Sequence, residues 1–247
     1  MASTKIIQQN KSHILYDASV ISKPSEHLFD PEWLRKEASI QPIGHAEIVM
    51  GRGAAWFVDF ENQQWVLRHY QRGGMVARWN KELYAGISLS ATRAWKEWHL
   101  LNELFTQGFP VPQPIAACVS WPYSRGAGLY KAAIIIKKIP GAITLAEKCQ
   151  QQNSDSSTWK KVGECIQKFH AHSVYHADLN ANNILFDENN NIYLIDFDKG
   201  SIKSGEAWKP ENLNRLNRSL VKLQGLHESF KFSNEDWTAL MEAYSQT

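Results

Sequence analysis

The stretch from His176 to Asp198 constrains what this chain can fold into more than any other. It reads His176-Ala177-Asp178-Leu179-Asn180-Ala181-Asn182-Asn183, an apolar run up to Asp187, Glu188-Asn189-Asn190-Asn191, a second apolar run from Ile192 to Ile195, and Asp196-Phe197-Asp198. Asn and Asp bond to their own backbone and tolerate left-handed dihedrals, so residues 188–191 make a turn. The short apolar runs on either side are then the strands of a hairpin. That hairpin carries an oxygen-bearing side chain at each end, Asn183 leading in and Asp196 leading out.

Phosphoryl transfer from ATP needs Mg2+ to neutralise phosphate, a carboxylate to orient or deprotonate the acceptor hydroxyl, and cations on the developing charge. Asp178 is placed to be the carboxylate, with Asn183 and Asp196 as oxygen ligands for a hard cation. A lone His-x-Asp arises by chance, and Asp-Asn-rich hairpins are commonly plain turns. The ordered combination carries the signal. His176 has no nucleophile partner in view and reads as a brace for the loop. His170, His172 and Tyr175 precede it at helix-end spacing with no cysteine nearby, which argues against zinc.

Upstream, His45–Met50, Ala54–Phe60 and Gln64–Tyr70 read as an antiparallel meander with turns at Gly51-Arg52-Gly53 and Glu61-Asn62-Gln63. Thr92 is placed to cap a helix whose Trp95, Trp98, Leu101, Leu104 and Phe105 recur at helical spacing, ending at Gly108 and Pro110. Strands follow at about Ile115–Trp121 and Leu129–Lys137, and Pro140-Gly141 marks a hinge. A helix started by Ser156 or Ser157 turns Trp159, Val162, Ile166 and Phe169 to one face. Leu213, Leu216, Leu220 and Leu223 predict another.

At 247 residues the chain suits one two-lobed enzyme or two small domains. Ten tryptophans among 43% apolar residues exclude disorder. No run of about eighteen apolar residues is present, which excludes a membrane-spanning helix and leaves only peripheral contact. The first ten residues lack the apolar core of a secretory signal, so a cytoplasmic chain is expected. Cys118, Cys149 and Cys165 are too scattered for a metal knuckle and read as small buried residues. Residues 1–140 hold 16 Lys and Arg against 11 Asp and Glu, whereas residues 141–247 hold 11 against 14. The basic half faces an anionic partner or is simply a solvated surface.

The motif order resembles the protein-kinase superfamily, and HADLNANNILF…LIDFDKG is most similar to the lipopolysaccharide core kinases, among them those acting on Kdo (3-deoxy-D-manno-octulosonic acid). Val66-Leu67-Arg68-His69-Tyr70, Arg72-Gly73-Gly74, Thr92-Arg93-Ala94-Trp95-Lys96-Glu97 and Pro110-Val111-Pro112-Gln113-Pro114 extend the resemblance over roughly residues 45–200. It implies an α+β, protein-kinase-like bilobal fold, with an antiparallel-sheet N-lobe over residues 1–139 and a short, mainly helical C-lobe over 140–247. It further implies Asp178 as catalytic base, Asn183 and Asp196 as Mg2+ ligands, and Gly51 with Gly53 as the phosphate-covering loop. Lys138, in the segment Ile136-Lys137-Lys138-Ile139, would give backbone hydrogen bonds to the adenine of ATP.

Two departures stand out. Arg68 occupies the position of the usual phosphate-pairing lysine, where it forms either a functional pair with Glu97 or a solvated surface pair. Asp198 stands where glycine is usual, either as a further metal ligand or as a cap for the next turn.

Only about fifty residues follow Asp196, without an Ala-Pro-Glu stretch, which disfavours a peptide acceptor. The resemblance makes the acceptor a Kdo-lipid A precursor, phosphorylated at the Kdo 4-hydroxyl, at the cytoplasmic face of the bacterial inner membrane. No nucleic acid and no obligate protein partner is implied. Arg72, Arg78, Lys81 and Arg93 are candidate contacts to the glycolipid, and Trp79, Tyr84 and Trp121 are candidates for the bilayer interface or for the core. A heptose kinase, a small protein kinase and a nucleotide-binding pseudokinase are the competing readings.

Overall fold

The computed structural model describes residues 3–43, 55–70, 83–123, 125–151 and 154–246. The chain divides into two compact units. The first is Met1–Gly108 with Pro112–Lys138, and the second is Phe109–Val111 with Ile139–Thr247.

The first unit opens with a hairpin of β1 (Thr4–Gln9) and β2 (Ser12–Asp17). Helix α1 (Pro31–Glu37) follows a 3-10 turn, and the Asp30 side chain caps it by accepting the Glu32 N–H while Pro31 supplies a preset φ. Then come β3 (Ser39–Pro42), β4 (Ala55–Phe60), β5 (Gln63–His69), β6 (Tyr84–Ala85), α2 (Arg93–Thr106), β7 (Pro114–Ser120) and β8 (Leu129–Lys137). The strands form one antiparallel sheet in the order β1-β2-β7-β8-β5-β4-β3, with β6 beside β8. Ile14, Leu67, Ile115 and Ile135 pack with Leu28, Phe29 and Leu34 into a core on one face.

The strands and helix expected between residues 54 and 137 lie within a residue or two of their observed bounds; His45–Met50 lies outside the described residues. Thr92 does occupy the N-cap of α2, yet its hydroxyl donates to Leu89 O at 2.6 Å instead of accepting from the helix. The preceding 3-10 turn (Leu89–Ala91) offers that carbonyl first. The first hairpin, α1 and β3 were not read from the sequence. β1 is an edge strand exposed along most of its length, and β2 is buried through nearly every position, so neither shows the alternation that marks a half-buried strand.

The second unit contains β9 (Ile143–Thr144), α3 (Leu145–Gln150), α4 (Ser156–Ala171), β10 (Val174–Tyr175), β11 (Ile184–Phe186), β12 (Ile192–Leu194), β13 (Ser201–Ile202), α5 (Lys209–Leu226) and α6 (Asn234–Gln246). Strands β12, β11 and β9 form a small antiparallel sheet and β10 pairs with β13. Trp159, Val162, Ile166 and Phe169 are all buried, as their spacing requires. The cap of α4 is Asp155, not the serines after it, because its carboxylate accepts the Thr158 N–H at 2.8 Å and completes a capping box. Helices α4 and α6 pack backbone to backbone at Gly163, where an added Cβ would stand 2.2 Å from Leu240 O.

An antiparallel sheet with one long helix, followed by a mainly helical unit, is the α+β composition the sequence implied. It leaves the hairpin of β11 and β12 embedded in the second unit.

Candidate active site

The hairpin register pairs Ile184 with Leu194 and Phe186 with Ile192, so its two open ends lie side by side. The turn works as its composition dictates, since Asp187 Oδ1 accepts the N–H groups of Asn189 and Asn191 at 2.9 and 2.8 Å. At the open end, Ile195 N–H donates to Asn183 O at 3.0 Å. The residues before β11 and after β12 therefore share one location.

His176 ties these ends together. Its Nε2–H donates to Ile195 O at 2.8 Å, which leaves Nδ1 to accept the Asp178 N–H at 3.2 Å. The ring is thereby fixed in one neutral tautomer, and burial holds its pKa below the ordinary histidine value despite the Ile195 carbonyl and the nearby Asp196 and Asp178 carboxylates. Phe197, fully buried, packs against this ring at 4.7 Å and against Phe169 at 5.8 Å between centroids. The bracing role read for His176 is the geometry observed.

Asn180 and Asn183 each donate from Nδ2 to the Asp178 carbonyl at 2.9 Å, and Asn180 Nδ2 also reaches Asp178 Oδ2 at 3.1 Å. Asn183 is buried, and its bond from Nδ2 leaves Oδ1 without a protein partner among the described residues. Asp196 adopts a left-handed backbone, φ 63°, at the turn out of β12. A cavity of about 360 Å³ is lined by Ala177, Asp178, Asp196, Asp198, Lys199 and Arg215. Asp198 shares this cavity.

These side chains suit a hard cation, offering carboxylate and amide oxygens and no sulfur or imidazole. Among the described residues no three His, Cys, Asp or Glu converge into a ready metal cage. Mg2+ that is shared with phosphate needs none, because it takes one or two carboxylates and keeps water. Asp196 and the open Oδ1 of Asn183 fit that pattern.

What holds the loop from below has no local sequence signal. Asn212 on α5, 2% exposed, donates from Nδ2 to His176 O at 2.6 Å and accepts at Oδ1 from His170 Nε2 at 3.0 Å. His170 Nδ1 in turn accepts from the Tyr244 hydroxyl on α6 at 2.9 Å. Burial pushes the His170 pKa down to about 4, against the opposing pull of the Asn212 bond. His170 is thus part of a buried hydrogen-bonded chain. Its partners lie 42 and 74 residues away in sequence, beyond any local pattern.

Arg215, one turn beyond Asn212 on α5, reaches Asp178 Oδ1 from Nη1 at 3.4 Å. No adjacent motif in the sequence marks it either.

In the first unit, Arg68 on β5 bonds both carboxylate oxygens of Glu97 on α2 from Nη2, and the Tyr70 hydroxyl donates to the same carboxylate. Glu97 is 3% exposed and the Arg68 side chain 21%, so the pair is largely buried and the solvated alternative does not hold. The Lys138 N–H is committed to Gln64 O at 2.9 Å and the Lys137 N–H to Gln113 O at 2.8 Å. Those two backbone donors expected to face adenine are therefore engaged within the sheet, while the Lys138 ammonium lies 4.6 Å from the Phe57 ring centroid.

Gly51 and Gly53 lie outside the described residues, as do Arg72, Arg78, Lys81 and Trp79. Arg93 stacks over the rings of Tyr70 and Tyr84 at 5.3 and 4.8 Å. Tyr84 and Trp121, weighed as bilayer anchors, are 8% and 3% exposed and belong to the core. No helix among the described residues is long and apolar enough to cross a membrane. Cys118 and Cys149 are buried, and burial raises the thiol pKa values of Cys118, Cys149 and Cys165 to about 12, 11 and 12, keeping all three protonated.

Residues 41–244 match the family model described as lipopolysaccharide kinase (Kdo/WaaP) family. The chain is 39% identical over 232 residues to a 3-deoxy-D-manno-octulosonic acid kinase of Xylella fastidiosa (strain 9a5c), covering 94% of this chain and 88% of that one. It is 38% identical over 238 residues to a protein of the same name from Vibrio vulnificus (strain YJ016), covering 96% of each. A third, from Haemophilus influenzae (strain PittEE), is 36% identical over 245 residues, covering 97% of this chain and 98% of its own. With the motif from His176 to Asp198 folded into one site, and a match spanning both units, the chain belongs to the lipopolysaccharide kinase (Kdo/WaaP) family.

Proposed function

We propose that the protein transfers the γ-phosphate of ATP to a Kdo hydroxyl, the 4-hydroxyl, of a Kdo-lipid A precursor in lipopolysaccharide assembly, as a peripheral enzyme at the cytoplasmic face of the inner membrane. The observation that carries this reading is the meeting of Asp178, Asp196 and Asp198 around one cavity, with Asn183 bonded to the Asp178 carbonyl.

In this mechanism Asp178 accepts a hydrogen bond from the acceptor hydroxyl and takes its proton as the oxygen attacks phosphorus. Asn180 and Arg215 hold that carboxylate in place through its two oxygens. Asn183 Oδ1 and Asp196 would hold Mg2+, which when bound neutralises the phosphate oxygens. His176 keeps both loops in register, and its single tautomer stops it from competing for the proton.

In the first unit, Arg68, fixed by Glu97 and Tyr70, would present its guanidinium to phosphate. Gly51 and Gly53 would cover the phosphates, and the chain around Lys138 would border the adenine. The division near residue 139 would separate a nucleotide-covering lobe from a catalytic one. The names of the relatives support Kdo as the acceptor over a heptose or a protein side chain.

The test is direct: purified protein, Mg-ATP and Kdo-lipid A precursor, followed by mass spectrometry of the lipid. One added phosphate on the Kdo residue, mapped by fragmentation to the 4-hydroxyl, is expected. Unmodified lipid from a folded, nucleotide-binding protein would overturn the reading.

A further inference from the structure

The segment Asp178-Leu179-Asn180-Ala181-Asn182-Asn183 carries the candidate base but no cation. Three carboxylates, those of Asp178, Asp196 and Asp198, line the adjoining cavity. An acceptor that is itself a carboxylic acid must enter this negative field with its hydroxyl at Asp178. Without a compensating positive group, its carboxylate would be repelled by the residues that have to receive it.

Lys199 and Arg215 are the two cations lining the cavity, and the one held beside the base is Arg215. It comes from α5, lines the cavity, and is the one cation bonded to Asp178 among the described residues. Its side chain is 42% exposed, and the contact to Asp178 is a single bond of 3.4 Å from Nη1. One edge of the guanidinium is therefore anchored beside the base while its other N–H groups stay open to a ligand. A planar fork of this kind binds a carboxylate through two parallel hydrogen bonds, which a lysine cannot match. The neighbouring cation on α5, Arg218, bonds Glu211 instead and does not line the cavity.

Resting on the reading of the site as a Kdo kinase, we infer that Arg215 is the subsite for the acceptor's carboxylate and selects an acidic sugar over a neutral one. Arg215 sets where the sugar ring lies relative to Asp178. Its contribution falls on acceptor binding more than on the chemical step.

The experiment measures initial rates of wild type, Arg215→Ala, Arg215→Lys and Arg218→Ala on two acceptors: the Kdo-lipid A precursor and the same molecule with its Kdo carboxylate converted to the methyl ester. Arg215→Ala should raise KM for the acid by roughly 10- to 100-fold, the range for losing a charge-assisted pair. It should change KM for the ester less than about threefold by the same reasoning. Arg215→Lys should recover part of the loss on the acid, and Arg218→Ala should match wild type on both. Because Arg215 is half-exposed, circular dichroism and thermal melting should report a folded variant.

Equal losses on acid and ester, or a fall in kcat with KM unchanged, would overturn the inference and place Arg215 on the transferring phosphate or on Asp178 alone. A wild-type enzyme that phosphorylates neither acceptor would instead overturn the proposed function.

Discussion

Replacing Asn212 by alanine removes one side chain and strands two buried groups. The His176 carbonyl loses its donor at 2.6 Å, and His170 Nε2–H loses its acceptor at 3.0 Å. Both histidines are 2% exposed, so water cannot easily take over either bond. An orphaned buried polar group costs about 1–3 kcal/mol, which gives about 2–6 kcal/mol for the pair. Against a typical domain stability of about 5–15 kcal/mol the variant stays folded but much nearer its limit.

The released carbonyl lies two residues before Asp178, so the loop can shift by a fraction of an ångström. Misplacement on the scale of 1 Å costs about 100-fold in rate, and kcat should fall by about 10- to 100-fold. Asn212→Leu separates the causes, because it strands the same groups while filling the volume. Urea unfolding monitored by tryptophan fluorescence, with kcat measured on the same preparations, reads both effects. Stability within about 0.5 kcal/mol of wild type together with kcat within about twofold, in either variant, would refute the claim that this chain of hydrogen bonds holds the site.

His170 makes stability depend on pH. Its folded pKa of about 4 lies below the free value of 6.5, so between these limits the unfolded chain binds the extra proton and stability falls as pH falls. Full stability is present above about pH 6.5, and about 2 kcal/mol should be lost by pH 5; urea midpoints for His170→Gln should show a smaller drop over that range. Gly163→Ala gains up to about 1 kcal/mol of helix propensity but drives a Cβ to 2.2 Å from Leu240 O, so net destabilisation of about 1–3 kcal/mol is expected in thermal melts. Arg68→Ala removes the guanidinium from the buried Glu97 carboxylate, which keeps its bond from Tyr70. A loss of about 2–3 kcal/mol is expected, moderated because Arg68 is about a fifth exposed, and urea titration reads it.

The site was legible in the sequence wherever its parts are local. Asn183 and Asp196 flank one hairpin and Asp178 lies five residues before Asn183, so turn composition and short apolar runs suffice to bring them together. Arg68 and Glu97 were paired from a resemblance, and the structure adds that Tyr70 closes over them. Asn212, His170 and Arg215 were not legible as a group. Each is an ordinary polar residue on an amphipathic helix, and only the packing of α4, α5 and α6 gives it a partner. The two serines after Asp155 mask it as the cap of α4, although a carboxylate at that position also favours the helix dipole.

The most direct test of the central claim is single-turnover phosphate transfer with Asp178→Ala and Asp196→Ala beside wild type, using Mg-ATP and Kdo-lipid A precursor. Both variants should keep the wild-type circular dichroism spectrum. Asp178→Ala should still bind nucleotide with Mg2+ yet lose at least about 100-fold in the transfer rate, as removal of a general base requires. Asp196→Ala should lose transfer together with Mg2+-dependent nucleotide binding. Transfer by Asp178→Ala at the wild-type rate would contradict the account.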